Sequence, residues 1–285
     1  VAPPPLRAIF GFGFNTPYLS MTNLVNSSGV VAADVAGVGT ARGYLKATSF
    51  GGNKAIFAFG QTSSVTAISN LVSDNGVVAA DTSGVGTARG SVAASTYGEQ
   101  LGIFAYGYNG SNLSMSNKVS ITGVIASDVN GVGTARRGLM AAGFGGDKGI
   151  FAFGYTSGTT AVTNRVSNSG VIASNGQTAG TARQTGAGTT YGVDKAIFGY
   201  GDATLSMTNL VNNQGVVAAD VTGVGTGRHN LAAAGYSTDK AIFGFGFNNS
   251  AKLSLTNLVS NSGVVAADTT GVGTARTTLA AAKVG

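Results

Sequence analysis

The chain has 285 residues, of which 10 % are charged and 46 are glycine, and it contains neither tryptophan nor cysteine. Without cysteine there are no disulfides, no thiol catalysis and no thiolate metal sites, while 43 % apolar residues suffice for a sizeable core and argue against global disorder. The net charge of +6 does not describe a nucleic-acid surface, because six of the 17 Lys and Arg recur at one repeat position and no basic block occurs.

Residues 1–7, Val1-Ala2-Pro3-Pro4-Pro5-Leu6-Arg7, read as a Pro-rich, stiff and extended lead-in. They have neither the basic start nor the apolar stretch of a signal peptide, and no apolar run in the chain reaches the ~18 residues of a membrane helix, so no membrane insertion is expected. Residues 8–285 read as one domain. Its first unit opens with Ile9-Phe10-Gly11-Phe12-Gly13-Phe14, a period of two that predicts a strand with its aromatics on one face. A second strand is expected over residues 19–25, a turn ending at Gly29, a third strand over 30–34, and a small-residue strand over 45–48.

The same succession returns six times. The phenylalanine after Ile recurs at Phe10, Phe57, Phe104, Phe151, Phe198 and Phe243. A Thr-Asn or Ser-Asn pair recurs with its amide at Asn23, Asn70, Asn117, Asn164, Asn209 and Asn257. Gly-Thr-Ala-Arg or a close relative ends at Arg42, Arg89, Arg136, Arg183, Arg228 and Arg276, giving a repeat of 45 to 48 residues. Four short strands in each such repeat predict a six-bladed β-propeller with four-stranded blades. Runs such as Ala232-Ala233-Ala234 suit an innermost strand, where converging blades leave room only for small side chains. The last such run, residues 279–282, has no following unit in the sequence, and the first unit has no such run before it. The expected solution is a ring closed by the C-terminal strand completing the first blade, which leaves no open edge at the seam.

Gly51-Gly52-Asn53-Lys54-Ala55-Ile56-Phe57-Ala58-Phe59-Gly60 resembles the centre of a kelch repeat, in which a Gly-rich hairpin leads into a strand ending in aromatic-Gly. The Arg and small-residue run after each Gly-Thr-Ala is similar to the kelch arginine and its inner strand, although no unit has the kelch tryptophan. The wording Thr208-Asn209-Leu210-Val211 through Gly215-Val216-Val217-Ala218-Ala219-Asp220 is also similar to repeat arrays in bacteriophage and environmental viral sequences, which sit in tail or other virion-associated proteins. That resemblance implies a virion component.

The most regular polar pattern is an acid eight residues before each arginine: Asp34/Arg42, Asp81/Arg89, Asp128/Arg136, Asp220/Arg228 and Asp268/Arg276, with Asn175 opposite Arg183 in the fourth unit. Groups alike in every repeat serve the repeat, so these pairs are expected to be a structural ladder that braces loops. The recurring asparagines are expected to bond backbone. Gly37-Val38-Gly39-Thr40 lacks the following Lys and the helix of a phosphate loop. His229 is the only histidine and its counterparts vary, so it reads as a surface residue. With no paired carboxylates, no triad and no metal-ligand set, the expectation is a non-enzyme without cofactor or metal.

Length varies only from the phenylalanine to the asparagine, which are separated by 13, 13, 13, 13, 11 and 14 residues. This connection carries Asn15, Tyr18, Asn109, Asn112, Tyr155 and Asn248, and by strand alternation it shares one rim with the Asp-to-Arg connections. Variable loops on a rigid scaffold commonly carry function, so these six residues are the expected partner site. The function expected is a structural or adhesion module, extracellular or virion-associated, contacting neighbouring virion or surface proteins and not nucleic acid. The alternatives are a glycan-binding lectin, with one weak pocket per blade and avidity from six, and a kelch-like peptide-binding adaptor.

Overall fold

The computed structural model describes residues 6–176, 178, 180–202 and 204–285. The first five residues of the expected lead-in lie outside these, and β1 (Arg7–Phe14) already includes Arg7. β2 (Tyr18–Val25) follows, then β3 (Lys46–Phe50), β4 (Lys54–Ala58) and β5 (Ser69–Val72). The pattern continues with β6 (Ala93–Tyr97), β7 (Leu101–Tyr108) and β8 (Asn112–Val119), then β9 (Met140–Phe144), β10 (Lys148–Ala152) and β11 (Thr163–Val166). β12 (Ala187–Tyr191), β13 (Lys195–Gly201) and β14 (Leu205–Val211) precede β15 (Ala232–Gly235), β16 (Ala241–Phe247) and β17 (Lys252–Val259), and β18 (Ala280–Val284) comes last.

These 18 strands form six antiparallel sheets of three, with no helix among the described residues. Five sheets take consecutive strands; the sixth has the order β18-β1-β2. Ile9 pairs with Ala282 and Gly11 with Ala280, so the last strand supplies the first sheet's missing edge. The middle strands are buried on both faces, as in the iBBBBBBi pattern of β1 and β7, which is why their sequences are almost wholly apolar.

The strand expected over residues 30–34 is not one. The backbone of residues 30–35 pairs with β2 only through isolated bridges, Val25 to Val31 and Thr22 to Val35. Three residue steps on β2 face four on this run, so the ladder cannot continue in register. The Asn23 side chain fills the gap: its Nδ2 donates to Ala32 O at 3.0 Å and to Asp34 Oδ1 at 2.9 Å. The sheets are three-stranded for this reason, and the same bridges recur in every unit.

A second correction concerns the aromatic strand. Phe10 and Phe12 face opposite sides: Phe10 meets Phe245 at 5.2 Å between ring centroids and Phe12 meets Phe57 at 5.1 Å. A bulge between Gly11 and Gly13 breaks the period of two, with Phe12 at φ 62° and Gly13 at φ 114°. One strand thereby sends a ring into each neighbouring sheet. Edge-to-face pairs Phe59–Phe104, Tyr106–Phe151, Phe153–Phe198 and Tyr200–Phe243 occupy the remaining four interfaces, each worth about 0.5–1.5 kcal/mol beyond burial.

The sheets also follow one another in a cycle. The inner strands β3, β6, β9, β12, β15 and β18 each neighbour the next, and β18 neighbours β3. At the start of these strands six backbone bonds join end to end: Ser91 N–H to Tyr44 O (2.9 Å), Gly138 to Ser91 (3.1 Å), Thr185 to Gly138 (2.8 Å), Asn230 to Thr185 (2.7 Å), Thr278 to Asn230 (2.9 Å) and Tyr44 to Thr278 (2.9 Å). All six residues have φ between 51° and 65°, a left-handed turn whose N–H bonds the neighbouring sheet instead of its own.

Candidate functional site

The repeated arginines are the largest fully buried side chains. Arg42 shows the pattern. Its Nε donates to Phe59 O at 2.9 Å, its Nη1 to Thr40 O at 3.1 Å and its Nη2 to Asn70 Oδ1 at 2.8 Å. Its guanidinium lies over the Phe12 ring of the preceding sheet, 4.3 Å from the centroid. Its own carbonyl accepts from Gly13 N, again in the preceding sheet, at 2.9 Å. Each nitrogen of the buried guanidinium thus donates a hydrogen bond, and the residue ties two sheets together.

The acid facing each arginine is not the one expected. Arg42 lies 4.0 Å from Asp81, Arg89 3.8 Å from Asp128, Arg183 3.7 Å from Asp220 and Arg276 3.9 Å from Asp34. Arg228 senses the charge of Asp268, and Arg136 reaches Asn164, whose Nδ2 donates to Asn175 Oδ1 at 3.2 Å. The pairings Asp34/Arg42, Asp81/Arg89, Asp128/Arg136, Asp220/Arg228, Asp268/Arg276 and Asn175/Arg183 are thus all replaced. The eight residues from acid to arginine are where the chain crosses from one sheet to the next, so the two ends of that segment belong to different sheets.

Each carboxylate binds backbone as well. Asp81 Oδ2 accepts from Thr40 N at 2.9 Å and Thr40 Oγ1 at 2.6 Å, and Oδ1 accepts from Asn70 Nδ2 at 2.9 Å. Burial pushes the five carboxyl groups up, but the Thr and Asn hydrogen bonds, with the arginine charge behind them, outweigh it and hold them below the ordinary carboxylate range. Burial brings Arg42, Arg89, Arg183 and Arg276 down to about 10, against the pull of the facing carboxylates. All remain ionised at neutral pH.

The variable loops join middle to outer strands, at the same end as the crossings and the backbone ring. Asn15 N–H bonds Pro17 O at 3.0 Å, and Tyr18 packs edge-on to Phe14, over which Lys252 Nζ lies at 4.6 Å. Asn109 N–H bonds Ser111 O at 3.3 Å, and Asn112 Nδ2 reaches Thr156 O of the next loop at 3.1 Å. Arg137 is held between the rings of Tyr108 and Tyr155, 4.4 and 5.0 Å from their centroids. Asn248 Oδ1 is occupied by its own turn, accepting from Ser250 N and Ala251 N. The six expected residues thus share a rim but do not converge on one pocket. His229 Nε2 lies 3.0 Å from Asn249 Oδ1 and its Nδ1 2.9 Å from Asn230 Nδ2. No group of three potential metal ligands occurs among the described residues.

A further opening lies at the other end. The inner strands surround an axial cavity of about 250 Å³ whose mouth is formed by inner-to-middle hairpins, with Gly52, Glu99, Gly146, Val193 and Thr238 at its edge. Two lysines that the sequence reading passed over line this axis, Lys46 and Lys283. Their signal was available: Lys46 stands where the other inner strands have Ala93, Met140, Ala187, Ala232 and Ala280, and Lys283 where they have Ser49, Thr96, Gly143, Thr190 and Gly235.

No protein-family model matches the chain, and no curated protein matches it either.

Proposed function

We propose that the chain is a six-bladed β-propeller and a non-enzymatic structural or adhesion module of a virion or other exposed surface, holding a protein partner on its rim of variable loops. The observation that carries this reading is the division of polar chemistry. The repeated Arg, Asn, Asp and Thr groups are consumed by bonds inside the scaffold, while the connections that differ in length between units are displayed on one rim. The cyclic order of the inner strands supports the propeller, and the similarity to viral repeat arrays supports the setting.

Partially exposed rings at Tyr18, Tyr108 and Tyr155 favour a second reading, a glycan-binding rim, because aromatic faces stack on sugars. Cross-linking within a native particle, alongside a glycan array, separates the two. A protein neighbour cross-linked through the rim supports the first, and a glycan hit abolished by Tyr18→Ala and Tyr155→Ala supports the second. Measurable turnover of a small substrate contradicts both.

A further inference from the structure

The axial cavity holds two lysines, Lys46 and Lys283, that form no ion pair among the described residues. Lys283 lines the main chamber, and Lys46 lines two narrower spaces beneath it, of about 40 and 30 Å³. Chamber and upper space share the ring Ala47, Ala94, Ala141, Gly188, Ala233 and Ala281, so only small side chains separate Lys46 from the chamber floor. Among the described residues neither ammonium group has a hydrogen-bond or ion-pair partner. Burial alone pulls both below the ordinary lysine value, Lys46 to about 8. The other ionisable groups facing the axis are Glu99, Lys240 and Tyr191 toward the mouth and Tyr44 at the closed end. A desolvated cation without a partner is unfavourable, and an anion taken from solvent relieves it.

The wall adds a second preference. The hydroxyls of Ser49, Ser95 and Thr190 donate to the carbonyls of Lys283, Thr96 and Gly143 at 2.7, 3.0 and 3.0 Å. With their protons so used, their oxygens are left as acceptors. The chamber thus attracts negative charge and accepts from hydroxyl donors. Its volume of about 250 Å³ falls below the common range for drug-sized ligands, which limits it to roughly one ring.

We propose that this cavity binds a small hydroxylated anion, a single sugar ring bearing a carboxylate or a phosphate, with Lys283 at the anionic group and Lys46 adding its charge from below the floor. The site lies at the end of the molecule opposite the variable rim and is independent of what that rim binds.

Titration calorimetry at neutral pH with glucuronate, glucose 6-phosphate, glucose and inorganic phosphate tests this. Glucuronate or glucose 6-phosphate is expected to saturate the protein about tenfold or more tightly than glucose and than inorganic phosphate, and whichever of the two binds distinguishes carboxylate from phosphate. Lys283→Thr installs the residue found at Thr96 and Thr190, and is expected to weaken binding about tenfold. Lys46→Met installs the residue found at Met140 and is expected to weaken it several-fold. Raising the pH through about 8 removes the Lys46 charge, so affinity falls in the parent chain and falls less in Lys46→Met. Both variants place residues that this fold already carries at equivalent positions, and an unchanged unfolding midpoint establishes that any loss is local. The proposal is overturned if neither charged sugar saturates at millimolar concentration, if glucose or inorganic phosphate binds equally well, or if both variants retain parental affinity. Such failure leaves the rim reading standing.

Discussion

The backbone N–H of Tyr44 donates to the carbonyl of Thr278 at 2.9 Å, across 234 residues of sequence. This one bond closes a circuit whose other five members link successive units. It is accompanied at the same junction by Ser49 Oγ donating to Lys283 O at 2.7 Å and by the Phe12–Phe57 ring pair. The seam between the first and last parts of the chain is therefore built like every other junction.

Removing residues 280–285 should expose that dependence. Ala280, Ala282 and Val284 are buried, and β1 would be left with an unpaired edge. The expected cost is about 3 kcal/mol or more from lost apolar burial, read as a lower denaturant midpoint, together with self-association on size-exclusion chromatography. An unchanged midpoint would show that the seam contributes nothing.

Arg89→Met is expected to destabilise by about 3–5 kcal/mol. It leaves Asn117 Oδ1 and Tyr106 O, now bonded at 2.6 and 2.8 Å, without their donor. Arg89→Lys should not rescue it, because an ammonium lacks the planar fork that reaches three acceptors at once and stacks on Phe59. Chemical denaturation of the two variants side by side checks this.

Asp81→Asn should cost less than about 1 kcal/mol at neutral pH, because Asn175 already fills this place opposite Thr134, accepting from its N–H at 3.1 Å. The pH dependence should change instead. The five carboxyl groups have folded-state pKa values below their ordinary one. Their contribution is therefore complete above the unfolded value near 4 and is lost as the pH falls through the lower folded values. A chain with all five converted to Asn should have a flatter acid limb in a plot of stability against pH; a limb of unchanged steepness would assign acid sensitivity elsewhere.

Gly107→Ala is expected to cost about 1–3 kcal/mol. Gly107 has φ 116°, and an added Cβ would stand 2.8 Å from Gly90 O, at the bulge that aims Tyr106 into the next sheet. Thermal unfolding measures it, and a neutral result would mean that the bulge relaxes without effect on the aromatic pair.

Tyr155→Ala should leave stability within about 1 kcal/mol, since the ring is only partly buried and stacks on Arg137 at the rim. Loss of partner or glycan capture by this variant, with an intact unfolding midpoint, is the outcome expected of a recognition residue. Retained capture would move the recognition surface away from this loop.

Much of the architecture could be read in advance. The landmarks Phe10, Asn23 and Arg42 with their copies revealed six units, and the orphan run at residues 279–282 revealed that the chain's end completes its beginning. The inner position of runs such as Ala232–Ala234 followed from side-chain size. The bulge at Phe12 and the peeling of residues 30–34 from β2 were not legible, because both depend on backbone dihedrals that the alternation of apolar residues does not report. Of the rim, the residues were legible but not their bonds: nothing in the spacing tells that Asn248 caps its own turn while Asn112 reaches the neighbouring loop.

The residue types, their period and their small-residue runs are local properties, written in each unit, and they decide how many sheets form and which strand lies innermost. What meets across space is decided elsewhere. Arg42 finds Asp81 and not Asp34 because the chain changes sheets between residues 34 and 42, and Lys46 and Lys283 face a common axis only once six inner strands surround it. Such contacts depend on the summed geometry of all units, which no single stretch of sequence contains.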